Sequence, residues 1–408
     1  MTQCTMWVPM VILLGASVCM AEAPPPGPVS VPKATDRIVC LGDSITDGCT
    51  YPQIIVQALK EAGKPVPTVI CSGVASDTAQ QMEARLDKTV LAFRPTIVTF
   101  SAGTNDTFRG VTAAQYEQAL RSIAKRVRAL GGTMVLLTPC IVSPAKAADA
   151  AAQKTAAERA AAAEKVIAEF EKAVRTVAAE EGFPVAENNA LMQQARKEGK
   201  EVMSDDGTHP SYVGQSLMAR SILDALGCKD VPLPAEFKPQ LFPGIVPEWK
   251  MRPAPMVEDE DGAKWPMMIT AASIREIVPD DTWKAYKLPD AAPEPAASPA
   301  DWWEQERRNG FGMLLGQTVG KGPFQGVAVI ECKEARKAFI NTGIGISSVW
   351  LNGVRVHDQA GAWTGFHAGK ERLPVDLVAG KNVLVVEINA AQFFLSVTDK
   401  LTWEEDLR

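Results

Sequence analysis

Positive charge is in short supply in this sequence. Its 408 residues include 42 Lys and Arg against 48 Asp and Glu, which gives a formal net charge of −6. Proteins that bind nucleic acid need a basic surface to neutralise phosphates, and anionic membranes attract polybasic segments. We therefore expect no nucleic acid partner and no electrostatic attraction to a membrane surface.

Histidine is scarcer, with only His209, His357 and His367 in the whole chain. Of the eight cysteines, no two are spaced as Cys-x-x-Cys, so the sequence lacks the usual pattern of a zinc site. No metal is therefore expected. Cys40 and Cys71 lie in apolar strand-like runs, which predicts buried thiols, although pairing stays open for an exported chain.

Long hydrophobic runs are also missing. The apolar run Val8–Met20 is too short to span a bilayer, and it ends near the small-residue pattern Ala21-Glu22-Ala23. This predicts a signal peptide over residues 1–23 and a secreted or periplasmic protein with no integral membrane segment in the mature chain. Cys19 raises the question of lipidation, for which the preceding Val18 is a poor residue.

What is present divides into two architectures. From residue 37 to about 227, apolar strand-like runs alternate with amphipathic helical patterns, which predicts a doubly wound five-stranded parallel sheet within a domain at residues 24–228. The predicted strands are Arg37–Leu41, Val66–Cys71, Thr96–Ser101, Thr133–Thr138 and Phe183–Glu187, and the predicted helices are Tyr51–Ala62, Ala113–Leu130, Ala147–Glu181 and Tyr212–Leu226.

The remainder has a different composition. Prolines cluster over residues 229–266, which predicts a linker or a surface strap. Residues 267–408 contain short strand patterns, including a hairpin around Asn352-Gly353, and predict a smaller all-β sandwich domain.

Polar motifs follow the predicted parallel strands. The first strand runs into Gly42-Asp43-Ser44, the second into residues 72–77, and the third into Gly103-Thr104-Asn105-Asp106. Each motif alone is also an ordinary turn. Because the carboxyl ends of parallel strands form the usual ligand-binding edge, their recurrence favours a functional site there.

Asp206-Gly207-Thr208-His209 precedes the last predicted helix. A spacing of three residues lets a carboxylate meet an imidazole, which can then take a proton from a hydroxyl group. The simpler explanation is an Asp that caps a turn. However, His357 and His367 both belong to the β part, which leaves His209 as the one imidazole for the α/β part.

Together, these four blocks resemble the SGNH/GDSL hydrolase superfamily of serine esterases, and the resemblance covers residues 37–227. It implies the flavodoxin-like sheet of that superfamily. The resemblance implies Ser44 as the nucleophile, Asp206 and His209 as acid and base, and an oxyanion hole formed by Ser44, Ser76 and Asn105. We expect the flanking residues Asp43, Gly73 and Gly103 to contact the substrate. The family's second block, Asn-x-x-x-x-Gly-Asp, has Cys71 at the Asn and Ser76 at the Gly here.

The resemblance implies an acyl-enzyme mechanism without a metal or organic cofactor. The C-terminal part resembles galactose-binding-type jelly rolls, on Val349–Gly353, residues 363–370 and 379–382. We therefore expect an acylated carbohydrate, acetylated in the first place, as substrate. A lipid esterase or lysophospholipase and a non-catalytic carbohydrate-binding surface protein are the alternatives.

A Gly-x-Ser-x-Gly elbow and a Gly-x-Gly-x-x-Gly loop after the first strand are both missing, which disfavours the α/β-hydrolase and dinucleotide-binding folds.

Overall fold

The computed structural model describes residues 31–238, 243–287, 313–314, 322–343, 345–358, 369, 371–389 and 392–407. The predicted signal peptide and His367 lie outside the described residues.

The α/β part contains the predicted five-stranded sheet. All neighbouring strands are parallel and their order is β2-β1-β3-β4-β5. This is the flavodoxin-like order, whose crevice lies between β1 and β3, where the winding direction reverses. The strands are β1 Arg37–Gly42, β2 Thr68–Gly73, β3 Ile97–Ser101, β4 Thr133–Leu137 and β5 Val185–Ala186.

Helices cover both faces of this sheet, as the nearly continuous apolar strands require. One face packs against α2, α8 and α9, and the other against α3, α6 and α7. The helices are α1 Ser44–Asp47, α2 Thr50–Glu61, α3 Ala79–Ala84, α4 Leu86–Thr89, α5 Thr104–Phe108, α6 Ala113–Ala129, α7 Ala150–Glu181, α8 Asn188–Lys197 and α9 Tyr212–Ala225. The prediction missed α8 and the short helices α1, α3, α4 and α5. It also started α7 three residues too early, because the helix begins after Asp149, which caps it by accepting from the Ala152 N–H at 2.8 Å.

The β part contains two antiparallel sheets on either side of one hydrophobic core, which confirms the predicted sandwich. The larger sheet has the order β14-β13-β16-β11-β6-β9 and the smaller one β15-β12-β18, and two separate two-stranded sheets are formed by β7 with β8 and by β10 with β17. The strands are β6 Glu248–Pro253, β7 Met256–Glu258, β8 Lys264–Pro266, β9 Lys284–Lys287, β10 Met313–Leu314, β11 Phe324–Cys332, β12 Arg336–Thr342, β13 Ile346–Leu351, β14 Val354–Asp358, β15 Glu371–Leu377, β16 Gly380–Ile388, β17 Gln392–Phe393 and β18 Leu395–Thr398.

Two details of the β part bear on the predictions. The hairpin of β13 and β14 turns at Asn352 and Gly353, whose φ angles of 50° and 82° are those of the expected tight turn. By contrast, β6 lies within the predicted linker, residues 229–266, yet pairs with β11 and β9 inside the larger sheet. The ordered β part therefore begins before residue 267.

The β part packs directly against the α/β part. Trp403 and Phe394 are buried against a disulfide between Cys49 and Cys71, whose Cα atoms are 5.7 Å apart. The prediction of a buried free thiol was wrong for Cys71, which is paired, and was confirmed for Cys40, which is free and buried. Residues Trp403–Leu407 form a 3-10 helix that lies against β2. Because β2 is an edge strand, this contact shields an edge that would otherwise be open to other chains.

Arg372 reinforces this interface from the β side. Its guanidinium lies 4.6 Å from the ring centroid of Phe93 in the α/β part and 5.4 Å from that of Trp403. The same guanidinium pairs with Glu404, and both side chains of the pair are only 4% exposed. A buried charge keeps its partner because an unpaired one would be costly, so this pair fixes how the C-terminal segment lies on the α/β part.

We predict that Trp403→Ala destabilises the α/β part as well as the β part. Removing a buried Trp costs about 3–5 kcal/mol in unfolding free energy, because both the apolar burial and the packing around it are lost. Thermal unfolding of the full chain measures the effect. The control is Trp265→Ala, since Trp265 is 59% exposed and its loss should change stability by no more than about 0.5 kcal/mol. Unfolding of the α/β part at an unchanged temperature in Trp403→Ala would contradict the prediction.

Candidate active site

The nucleophile candidate Ser44 lies where β1 ends and α1 begins. Asp43 caps this short helix by accepting from the Ile45 N–H at 2.9 Å. Two glycines let the turn pack closely. A Cβ on Gly42 would lie 2.0 Å from Oγ1 of Thr46, and one on Gly73 would lie 2.2 Å from the main-chain N of Asp47. Gly73 therefore holds the end of β2 against the helix that carries Ser44.

The structure brings Ser44, His209 and Asp206 together in one chain of hydrogen bonds. Oγ of Ser44 is 2.9 Å from Nε2 of His209, and Nδ1 of His209 is 2.6 Å from Oδ2 of Asp206. This is the geometry in which a carboxylate orients an imidazole and the imidazole takes a proton from a hydroxyl group. His357, in contrast, lies on β14 of the sandwich.

Asp206 is held as an anion by several donors. Its Oδ1 accepts from Oγ of Ser204 at 2.8 Å, from the Thr208 N–H at 2.7 Å and from the His209 N–H at 2.9 Å. Partial burial acts to raise the pKa of Asp206, but the hydrogen bonds from the side chain and main chain of His209 and from Thr208 outweigh it and hold that pKa below its usual range. The carboxylate therefore stays charged beside His209.

The proposed oxyanion donors Ser44 and Ser76 lie on neighbouring strand ends. Within residues 31–238, the main-chain N–H groups of these two serines donate to no protein acceptor, whereas those of Thr46 and Asp47 both donate to Asp43. Ser76 has a φ of 70°, in the left-handed region that favours glycine. This explains why a Gly is usual at this position of the family's second block. Ser76 keeps that backbone conformation despite its side chain.

Asn105 lies in the first turn of α5, across the crevice between β1 and β3. Its amide Nδ2 donates to the main-chain O of Asp77 at 3.1 Å and to Oδ2 of Asp43 at 3.2 Å. The side chain therefore reaches both the Ser44 turn and the Ser76 loop, and its role as an oxyanion donor stays a prediction. Asp106, which the sequence reasoning did not assign, is buried and accepts from the N–H groups of Ala79 and Gly103.

Three further residues were predicted to contact the substrate. Asp43 is 2% exposed, and burial raises its pKa to about 7 against the lowering effects of the Ile45 N–H and His209. Gly73 packs under α1, as described above. Gly103 precedes α5 with a φ of 119°, and a Cβ there would lie 2.9 Å from Cβ of Pro139. The structure thus gives each of them a packing or capping position, and their contact with substrate stays a prediction.

Sequence reasoning missed Arg85, whose guanidinium joins the carboxyl ends of β1 and β2. It donates to the main-chain O of Gly42 at 2.9 Å, to the main-chain O of Ser72 at 3.0 Å and to Oδ2 of Asp77 at 2.5 Å. The available signal was a charged residue directly after a short helical pattern near the second motif. Arg85 holds the Ser44 turn and the Ser76 loop in one unit.

In the described ranges, no group of three or more His, Cys, Asp or Glu side chains is placed to hold a metal ion. None of the described helices is both long enough and apolar enough to cross a membrane.

The α/β part is similar to known proteins. The model of the GDSL-like Lipase/Acylhydrolase family matches residues 40–217. The chain is similar to an acetylxylan esterase of Geobacillus stearothermophilus, with 22% identity over 219 residues, which cover 47% of this chain and 94% of that protein. It is also similar to thioesterase 1/protease 1/lysophospholipase L1 of Escherichia coli K12, with 30% identity over 110 residues, which cover 26% of this chain and 51% of that protein.

Among solved structures, a catalytic mutant of an acetylxylan esterase from Geobacillus stearothermophilus covers 50% of this chain and 100% of its own, with 20% identity and a TM-score of 0.42. By the family model and the two similar enzymes, residues 40–217 form a domain of the GDSL-like Lipase/Acylhydrolase family, and this domain is a carboxylic ester hydrolase of the SGNH/GDSL type.

Proposed function

We propose that this protein is an exported serine esterase that removes O-acyl groups, acetyl groups in the first place, from a carbohydrate. The observation that carries the proposal is the hydrogen-bonded chain Ser44–His209–Asp206 at the switch point of the sheet. The similarity to an acetylxylan esterase over nearly the whole of that protein supports the carbohydrate part.

In the proposed acylation step, Nε2 of His209 takes the proton of the Ser44 hydroxyl while Oγ bonds to the carbonyl carbon of the ester. The resulting oxyanion collapses, the bond to the sugar oxygen breaks, and His209 gives its proton to the departing alcohol. Water then attacks the acyl-enzyme with His209 again as base, which releases the carboxylic acid and restores Ser44. Asp206 orients the ring and stabilises the imidazolium in both steps.

The oxyanion is proposed to lie between the N–H groups of Ser44 and Ser76 and the amide of Asn105. The two main-chain donors have no protein acceptor among residues 31–238, so each can donate to the substrate without breaking an internal hydrogen bond. The Asn105 amide reaches the same crevice from the other side.

A lipid esterase or lysophospholipase is the second candidate, and the 30% identity to the Escherichia coli enzyme favours it. The surroundings of the triad argue against it. The pocket beside Asp206 has two larger apolar side chains, Phe108 and Val142, and is otherwise lined by alanines and by polar or charged residues, which offers little apolar surface to a long acyl chain. Comparison of p-nitrophenyl acetate with p-nitrophenyl octanoate separates the two candidates.

A third alternative is a non-catalytic carbohydrate-binding protein. It does not account for the hydrogen-bonded arrangement of Ser44, His209 and Asp206. The predicted binding role of the β part also has little support from its tryptophans. Trp249, Trp283, Trp350 and Trp403 are buried in the structure, and only Trp265 of the described tryptophans is exposed. We therefore assign the β part first to packing against the esterase domain.

Export is supported by the pairing of Cys49 with Cys71, since disulfides persist mainly in oxidising compartments. The expected mature protein begins near residue 24. Mass spectrometry of the protein recovered from the medium or periplasm measures this. A chain that keeps residues 1–23 and stays in the cytoplasm would contradict export, and one that begins at a modified Cys19 would indicate lipidation.

We predict that Ser44→Ala lowers kcat for p-nitrophenyl acetate by a factor on the order of 10⁶ and that His209→Gln has a similar effect, because the triad acts as a unit. Steady-state kinetics and labelling by a fluorophosphonate probe measure the loss. The control is His357→Gln on β14, which should keep both activity and labelling. Ester hydrolysis by Ser44→Ala at the wild-type rate would show that the nucleophile is elsewhere.

We further predict that Asn105→Ala lowers kcat by about 10²–10³ with little change in KM, since it deletes a donor that acts in the transition state. Ser76→Ala should be mild because its N–H remains. Ser76→Gly should keep activity and raise the unfolding free energy by up to about 1 kcal/mol, because glycine adopts the φ of 70° without the cost of a Cβ. Equal damage from Ser76→Ala and Asn105→Ala would mean that the Ser76 hydroxyl itself contacts the substrate.

A further inference from the structure

A pocket of about 370 Å³ lies next to the acid of the triad. Asp206 and Thr208 line the pocket, and in the sequence Thr208 directly precedes His209. Phe108, the last residue of the short helix α5 that carries Asn105, also lines the pocket. The pocket therefore adjoins both the base and the oxyanion side of the site. Its volume is within the range of roughly 300–1,000 Å³ typical of small-molecule sites.

The wall of this pocket is the first part of α7. The helix residues that line it, at positions 152, 155, 156, 159 and 160, share one face because they recur at helical spacing. Three of them are alanines, and their small side chains leave the space open. The core contacts of α7 lie mainly further along, from Ala163 to Ala178. The first ten residues extend about 15 Å along the helix axis and are thus free to form a rim beside the active site.

Arg159 is the cation of this rim. Its guanidinium lies 4.7 Å from the ring centroid of Phe108, which is itself 37% exposed. Within the part of the chain that the structure describes, Arg159 has no carboxylate partner. The other arginines of α6 and α7, in contrast, all form ion pairs, namely Arg121, Arg126, Arg128 and Arg175.

The Arg159 guanidinium is therefore positioned to bind an anion. Stacking on Phe108 holds the guanidinium plane while its edge N–H groups stay available. Those N–H groups form a planar fork that matches the two oxygens of a carboxylate or sulfate group. Asp206, which also lines the pocket, already accepts four hydrogen bonds from Ser204, Thr208 and His209 and does not pair with Arg159. An anion can therefore approach Arg159 without competing for a partner.

We propose that this pocket is a specificity subsite for an acidic sugar residue, in which Arg159 binds the carboxylate or sulfate group of the unit that carries the acyl ester. The proposal rests on the proposed function, since it assumes a carbohydrate ester at Ser44. It makes Arg159 a binding residue and Phe108 the residue that positions it. Neutral acylated sugars remain substrates, but they lack this contact.

The test uses the full mature chain and three matched esters. These are mono-O-acetyl derivatives of methyl glucopyranoside, of methyl glucopyranosiduronic acid and of methyl glucopyranoside 6-sulfate, acetylated at the same hydroxyl. Acetate release gives kcat and KM for each ester. We expect wild-type kcat/KM to be about tenfold higher for at least one acidic ester than for the neutral ester, mainly through KM, and the uronate and sulfate arms show which anion is preferred.

Arg159→Met keeps the length of the side chain but removes the charge, and it should bring the acidic-to-neutral ratio to about one or below. Arg159→Lys should keep part of the preference, and Phe108→Leu should reduce it through loss of the stacked position. The control is Arg175→Met on the same helix, whose ion pairs with Glu171 and Glu187 lie away from the pocket, and it should leave the ratio unchanged. Because Arg159 is exposed, its replacement should not lower the melting temperature.

Each outcome decides between the two proposals. Two results overturn the acidic subsite and leave the sugar esterase intact, provided that all three esters are hydrolysed. One is a wild-type acidic-to-neutral ratio of kcat/KM near one, and the other is a raised ratio that Arg159→Met does not change. Hydrolysis of p-nitrophenyl acetate without hydrolysis of any sugar ester overturns the carbohydrate part of the proposed function, and the subsite with it.

Discussion

The site depends on the interaction of one buried cation with the ends of two strands. The guanidinium of Arg85, whose side chain is 16% exposed, bonds to main-chain oxygens at the ends of β1 and β2 and to the carboxylate of Asp77. The Gly42 oxygen also accepts from the Val74 N–H at 3.1 Å, so Arg85 adds a second donor at the point where β1 and β2 end side by side. Because the charge of Arg85 is itself satisfied by Asp77, the same interaction fixes the Ser44 turn relative to the Ser76 loop. A nucleophile and its oxyanion donors are useful only when that relative position is held.

The disulfide and the β part constrain the same region from outside. Cys49 ends the short segment that begins at Ser44, and Cys71 lies on β2 just before the loop of Ser76. The link between them is covered by Phe394 and Trp403 of the C-terminal part. The second domain therefore contributes to the rigidity of the site although it supplies none of the three triad residues. Phe394 and Trp403 are buried at this contact, whereas Trp249, Trp283 and Trp350 are buried within the β part itself.

Much of the α/β fold could be predicted from the sequence because its strands are buried on both faces and appear as apolar runs. The triad could be located because polar motifs after parallel strands meet at one edge, and because only His209 was available there. The conformation of Ser76 could not be predicted, since a positive φ at a non-glycine residue is set by the surrounding loop. The disulfide was equally hidden, because it depends on how β2 approaches α1. In the β part, β6 was missed because it lies within the cluster of prolines that predicts a linker.

The first turns of α7 show most clearly where sequence reasoning ends. An Ala-rich helical face is typical of close packing against a core, and the later turns of the same helix do pack in that way around Phe170. The early turns carry a similar pattern, yet most of their residues are exposed and several border the pocket beside Asp206 instead. Only the packing of the helix in the folded chain separates the two cases. The candidate site is thus held by short-range contacts at the strand ends, while the rim beside it is formed by the first turns of one helix. Selectivity in this protein can therefore change along α7 without disturbing Ser44, His209 and Asp206.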